Sequence, residues 1–182
     1  GPGTKIVVYG GVPNSNSKGS PNQGSLRDAV PMLHGSGRVI KAEAWKTWAT
    51  ASTVLSLDGI LSKWTEIEPE SHAVMVGNLS SRSGGRLRPH ASHQSGRDVD
   101  LGYMQLHGIY KELNWREMDS TNLDCASNLR LLELIVGHAD IESIYMDIGV
   151  QKLLVEEARH QGWRQEKLAK WFQYPNHSGS II

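Results

Sequence analysis

The segment SHQSGRDVD, Ser92 to Asp100, gathers one imidazole and two carboxylates around a glycine. His93 and Asp100 are a nitrogen and an oxygen donor of the kind that Zn²⁺ takes. Gly96 between them lets the chain turn, so that a loop histidine and a following aspartate can converge on one ion. A polar turn that binds nothing is the other reading that residue types alone leave open. A Ser-His-Asp arrangement of Ser92, His93 and Asp98 is disfavoured, because adjacent residues point apart and a triad is recognised by geometry, not by proximity in sequence. A thiol pair of Cys125 with His138 is weaker still: Cys125 falls on an apolar helical stripe, where a buried, inert thiol is the usual outcome.

These groups need elements to hold them. From Asp98 to Tyr103, DVDLGY alternates polar and apolar, so as a strand it sets Asp98 and Asp100 on one face and Val99 and Leu101 on the other. Asp98 then either orients a metal ligand or caps the turn at Gly96. Upstream, KIVVY (Lys5 to Tyr9) reads as a β-branched strand, and GGVPNSNSKGSPNQGS (Gly10 to Ser25) as a long irregular loop. From Trp45 to Trp64 the apolar residues Trp48, Val54, Leu55, Leu57, Leu61 and Trp64 recur at steps of three and four, which predicts a helix interrupted in quality by Gly59. That spacing makes Trp45, Trp48 and Trp64 core or groove lining.

A strand over His72 to Gly77 leads into a second irregular region, Asn78 to Arg97. Cys125, Leu129, Leu132 and Val136 form a helical stripe that stops near Gly137. A strand Ile141 to Met146 and a helix from Gly149 to His160 follow. Strands and helices alternate without a βαβ rhythm, so the fold class is α+β, with a small mixed or antiparallel sheet flanked by helices.

At 182 residues, 38% hydrophobic and 21% charged, the chain has the make-up of one globular domain with a proper core. Its charges balance, 19 basic against 19 acidic, which argues against nucleic acid or an anionic membrane surface as partner. The local exception is Arg82, Arg86 and Arg88, which either meet carboxylates of a ligand or keep a loop soluble. No apolar run approaches the roughly 20 residues that span a membrane, so membrane insertion is not expected. A single cysteine rules out an internal disulfide. Gly1-Pro2-Gly3 reads as the scar of a cleaved tag, leaving residues 4–182 as one domain.

The string His93-x2-Gly96-x3-Asp100 resembles the first metal motif of the superfamily that joins lysostaphin-type peptidases, D-Ala-D-Ala peptidases and hedgehog domains. The longer GGRLRPHASHQSGRDVDLGY, Gly84 to Tyr103, is similar to the penicillin-insensitive murein endopeptidases in particular. SPNQGSLRDAV (Ser20 to Val30), VGNLSSRSGG (Val76 to Gly85) and AKWFQ (Ala169 to Gln173) look alike in the same order.

The resemblance implies a hedgehog/DD-peptidase-like fold. It also implies a bacterial zinc peptidase, periplasmic or secreted, that cuts the D-alanyl-meso-diaminopimelyl cross-link between peptidoglycan stem peptides. It makes His93 and Asp100 zinc ligands, and places His90 and Arg82 beside the metal or facing the substrate. The family's second motif, His-x-His near the C-terminus, has no match here. Two expectations follow: either the chain is C-terminally incomplete, with His177 a poor substitute third ligand in its Asn- and Ser-rich surroundings, or the protein is a peptidase-like wall binder without catalysis.

Overall fold

The computed structural model describes residues 3–8, 16–20, 23–27, 29–79, 81–82, 97–138, 141–173 and 179–181. In chain order the strands are β1 (Gly3–Val8), β2 (Asn16–Ser20), β3 (Gln23–Arg27), β4 (Val30–Pro31), β5 (Arg38–Ile40), β6 (Trp48–Ala49), β7 (Val74–Val76), β8 (Asp98–Gly102), β9 (Ile141–Met146) and β10 (Gly179–Ile181). The helices are α1 (Ala51–Ile67), α2 (Cys125–His138), α3 (Ile148–His160) and α4 (Gln165–Trp171). Six strands form one sheet in the order β10-β9-β1-β8-β7-β5, antiparallel throughout except for the parallel pair β5 and β7. The short pairs β2 with β3 and β4 with β6 stand apart from it. The fold is α+β with a mixed sheet, as the element pattern implies.

The core lies on one face of this sheet. Val74, Val76, Val99 and Leu101 meet Leu57, Ile60, Leu61 and Trp64 of α1, Leu129, Leu132 and Ile135 of α2, and Val150, Leu154 and Ala158 of α3. Each fully buried side chain of this size contributes about 1.5–3 kcal/mol. The helices begin where their caps allow. Thr50 accepts a hydrogen bond from the Thr53 amide at 3.2 Å, Asp124 from the Ser127 amide at 3.0 Å and Asp147 from the Val150 amide at 3.1 Å.

Several expectations shift. The helix expected from Trp45 starts only at Ala51, because Trp48 and Ala49 pair with Val30 and Pro31 as a strand and Ala44–Lys46 is a 3₁₀ turn. A three-residue spacing of tryptophans therefore came from two different elements, and only Trp64 is helical. Part of the stretch expected to be loop, Gly10 to Ser25, instead forms the β2–β3 hairpin, with Ser20 opposite Gln23. Backbone pairing needs no apolar alternation, so a polar hairpin leaves little trace in the sequence. Strand β7 is shorter than His72 to Gly77. The α2 helix runs one residue past Gly137, where a side chain would meet nothing.

His72, at the approach to β7, has a structural role. Its Nδ1–H donates to the Ala73 carbonyl at 2.7 Å and its Nε2 accepts from the Gln105 amide at 3.0 Å. Asn128 on α2 does similar work where the chain leaves β8. Its side chain donates to the Met104 carbonyl and accepts from the Met104 amide, both at 2.9 Å, in buried surroundings. Asn128→Ala would leave the buried Met104 amide without that acceptor, while the Met104 carbonyl keeps the Asp124 amide at 3.0 Å, so unfolding by urea should show a loss of about 1–3 kcal/mol at unchanged m. An unchanged midpoint would contradict that role.

Candidate functional site

Strand β8 carries the site on the face away from the core. Its inner neighbours Val99 and Leu101 are buried among the helices, and Asp98, Asp100 and Gly102 share the opposite face. Asp98 is fully buried, at 0% exposure, whereas Asp100 is half-buried. Burying a carboxyl group costs free energy that only specific contacts offset, so a buried aspartate on this face is the informative exception to apolar burial.

Asp100 is fixed through its backbone. Its amide donates to the Asn78 carbonyl at 3.1 Å, and its carbonyl accepts from the Gly77 amide at 2.7 Å. On the other side Lys5 of β1 stands opposite Asp100, and Val7 opposite Asp98. The strand is thus held on both edges, and the direction in which Asp100 leaves it is set by the pleat.

An indole walls this face. A side-chain Cβ built on Gly77 would come within 2.9 Å of the Trp115 ring and 3.2 Å of the Asp100 Cβ. One built on Gly102 would lie 2.6 Å from the Met75 Cε and 3.4 Å from Trp115. Glycine at both positions therefore lets the Trp115 ring approach the sheet closely beside Asp100. Met75, 1% exposed and outside the main core, fills the space beneath.

Trp115 is delivered by the segment 105–123, which closes on itself. The Leu106 amide donates to the Asn122 carbonyl at 2.8 Å, and the Gln105 side chain donates to the Asn114 carbonyl at 2.8 Å. Within it the Arg116 guanidinium stacks 3.8 Å from the centre of the Tyr110 ring. Trp115 was not singled out from the sequence. Apolar residues of the 105–123 stretch follow neither strand nor helix period, so nothing there marks Trp115.

The remaining candidates separate. Arg82 is exposed and its guanidinium carbon lies 5.2 Å from the Trp48 ring, so its described contact is an aromatic face and not Asp100. His90, His93, Gly96, Arg86, Arg88 and His177 lie outside the described residues. Among the described residues no group of three or more His, Cys, Asp or Glu is arranged to hold a metal ion. Asp100 is thus the described member of the expected donor pair; an accessible carboxylate, backed by a rigid strand and an indole, suits an oxygen ligand to zinc. Cys125 is partly buried on α2, and burial, with Glu157, Asp124 and Glu156 adding, pushes its thiol up, which suits packing and not nucleophilic work.

The close fit at Gly77 is testable. Gly77→Ala should cost about 1–3 kcal/mol through overpacking, and most of that cost should vanish in a Trp115→Ala background. Equal costs in the two backgrounds, measured by chemical denaturation, would show that the indole is not what keeps this position bare.

Comparison with known proteins bears on this face directly. A family profile described as penicillin-insensitive murein endopeptidase matches residues 17–178. A curated protein of that name from Pectobacterium atrosepticum is 28% identical over 117 residues, covering 57% of this chain and 42% of that protein. The aligned part therefore spans less than half of the relative's length. The profile takes in β8, its neighbour β7 and the segment that carries Trp115, whereas β1, the other strand beside Asp100, lies ahead of the match. The chain belongs to the penicillin-insensitive murein endopeptidase family.

Proposed function

We propose that the chain is a zinc-dependent endopeptidase of bacterial peptidoglycan, acting in the periplasm or on external cell wall. Its substrate would be the D-alanyl-meso-diaminopimelyl cross-link between stem peptides. The observation that carries the reading is the family match over residues 17–178 together with an Asp100 carboxylate presented on the open face of a strand pinned at both edges. No helix of the described residues is long and apolar enough to cross a membrane.

In this reading His93 and Asp100 hold the ion. When bound, zinc supplies a Lewis acid for the scissile carbonyl and a coordinated water with a pKa lowered to about 7. The chain's own contribution is positional. The backbone hydrogen bonds of Asp100 fix the direction in which its side chain leaves the strand, and Trp115 excludes water from one side of it. His90 stands beside the ligands or meets the substrate. Both ligands must be deprotonated to coordinate, so metal is lost as the pH falls.

A second reading keeps the family's fold without its catalysis. A wall-binding module without catalysis would hold sacculi and leave them intact. The two readings part in one assay. With cross-linked muropeptide dimers, the zinc-loaded protein should release monomers. His93→Ala and Asp100→Ala should each cut that rate roughly a thousandfold, as should a chelator, by removing the several kcal/mol a metal contributes to the barrier. Undiminished cleavage by His93→Ala sinks the metal assignment. Binding of sacculi with no cleavage by the zinc-loaded wild type favours the second reading.

A further inference from the structure

The segment that holds Asp100 also reaches a second surface. Just past the Asn78 carbonyl that accepts from Asp100, the Leu79 amide donates to the Lys46 carbonyl at 2.8 Å, and Arg82 farther along lies over Trp48. There Trp45 and Trp48, with Pro31, Met32, Leu33 and Ile40, line an open groove of about 400 Å³. Leu33 is 65% and Trp45 53% exposed, a cluster of large apolar side chains presented to solvent beside the site face.

The charges around this groove are unequal in their commitments. Glu43 accepts from the Trp45 indole N–H and lies 3.8 Å from the Lys46 ammonium, which itself sits 4.9 Å from the centre of the Trp45 ring. Arg38 pairs with Asp58 at 2.6 Å and donates to the Leu33 carbonyl at 2.8 Å. Arg82 has no carboxylate partner among the described residues. Its guanidinium lies against an indole face, which steadies the planar fork and, among the described residues, leaves no carboxylate on its N–H edge. We infer that the Trp45–Trp48 groove is a binding subsite for an acidic peptide, with Arg82 at the rim taking a peptide carboxylate.

Charge complementarity selects this occupant over a saccharide. Arg82 lies over one face of Trp48 and Lys46 over one face of Trp45, so cations edge the aromatic lining, and a neutral sugar carries no charge to meet them. A ligand with an apolar body and a free carboxylate gains from both the lining and the cations, through burial and a charge-assisted, bidentate contact. Peptidoglycan stem peptides supply the carboxylates, with alanyl methyls and a diaminopimelyl methylene chain for the lining, and this identity of the ligand rests on the endopeptidase reading above. The groove is tied to the strand that carries Asp100 through the 78–79 segment, whose Asn78 carbonyl accepts from Asp100 and whose Leu79 amide donates to Lys46.

The test is calorimetric titration of the full chain with three probes: the soluble stem tetrapeptide L-Ala-γ-D-Glu-meso-diaminopimelyl-D-Ala, its carboxamide derivative, and chitotetraose. The tetrapeptide should bind, and Arg82→Gln should weaken it about tenfold, the loss of one charge-assisted hydrogen-bonded contact. The carboxamide should bind the wild type about as weakly, and Arg82→Gln should then add no further loss. Because Arg82 is exposed, its substitution leaves the fold intact, and the amidated probe checks the contact without touching the protein.

No tetrapeptide binding, an affinity untouched by Arg82→Gln, or preferential binding of chitotetraose would overturn the proposal. Tetrapeptide binding by a wild type that cleaves no dimer would end the endopeptidase reading and leave the groove standing. Cleavage with binding indifferent to Arg82 would do the reverse.

Discussion

Everything at the site depends on the two-sidedness of one central strand. β8 sends Val99 and Leu101 into the core and Asp98, Asp100 and Gly102 to the opposite face, and β1 and β7 hold it from both edges. A shift of register by one residue would exchange those faces, exposing two large apolar side chains and burying both carboxylates among the helices. The hydrophobic core therefore does more than stabilise the molecule. By fixing the register of Val99 and Leu101, it fixes the direction of Asp100.

The second face would ordinarily be solvated, as one side of an antiparallel sheet often is. Here it is partly closed by the 105–123 segment, which brings Trp115 against two glycines and over Met75. The consequence is a local environment drier than an open sheet face, beside a carboxylate that remains half-accessible. Lower local dielectric strengthens whatever charge interaction Asp100 makes. Stability and site geometry are coupled at Gly77, whose neighbours are at once the Trp115 packing wall and the Asp100 Cβ.

Legibility in the sequence followed the strength of apolar pattern. The alternation of DVDLGY and the run Ile141–Met146 both mark observed strands, and the α2 stripe marks an observed helix, because burial of one face dictates each pattern. Trp45 and Trp48 misled, since helical spacing can arise by chance across a 3₁₀ turn and a short strand. The β2–β3 hairpin and the β4–β6 pair were invisible for another reason: backbone hydrogen bonds hold them, and these carry no side-chain signature. At the site, Asp98 and Asp100 were legible from period alone. Trp115 and the Trp48–Arg82 stack were not, because each depends on contacts between segments far apart in the chain.

The central claim is that the outer face of β8 holds a metal through Asp100 and His93. Anomalous diffraction at the zinc absorption edge, from crystals soaked in zinc, addresses it most directly. The account predicts a peak about 2.0–2.2 Å from an Asp100 carboxylate oxygen and about 2.0–2.1 Å from a His93 ring nitrogen. Zinc bound only elsewhere on the molecule, with none within coordinating distance of Asp100, would contradict it.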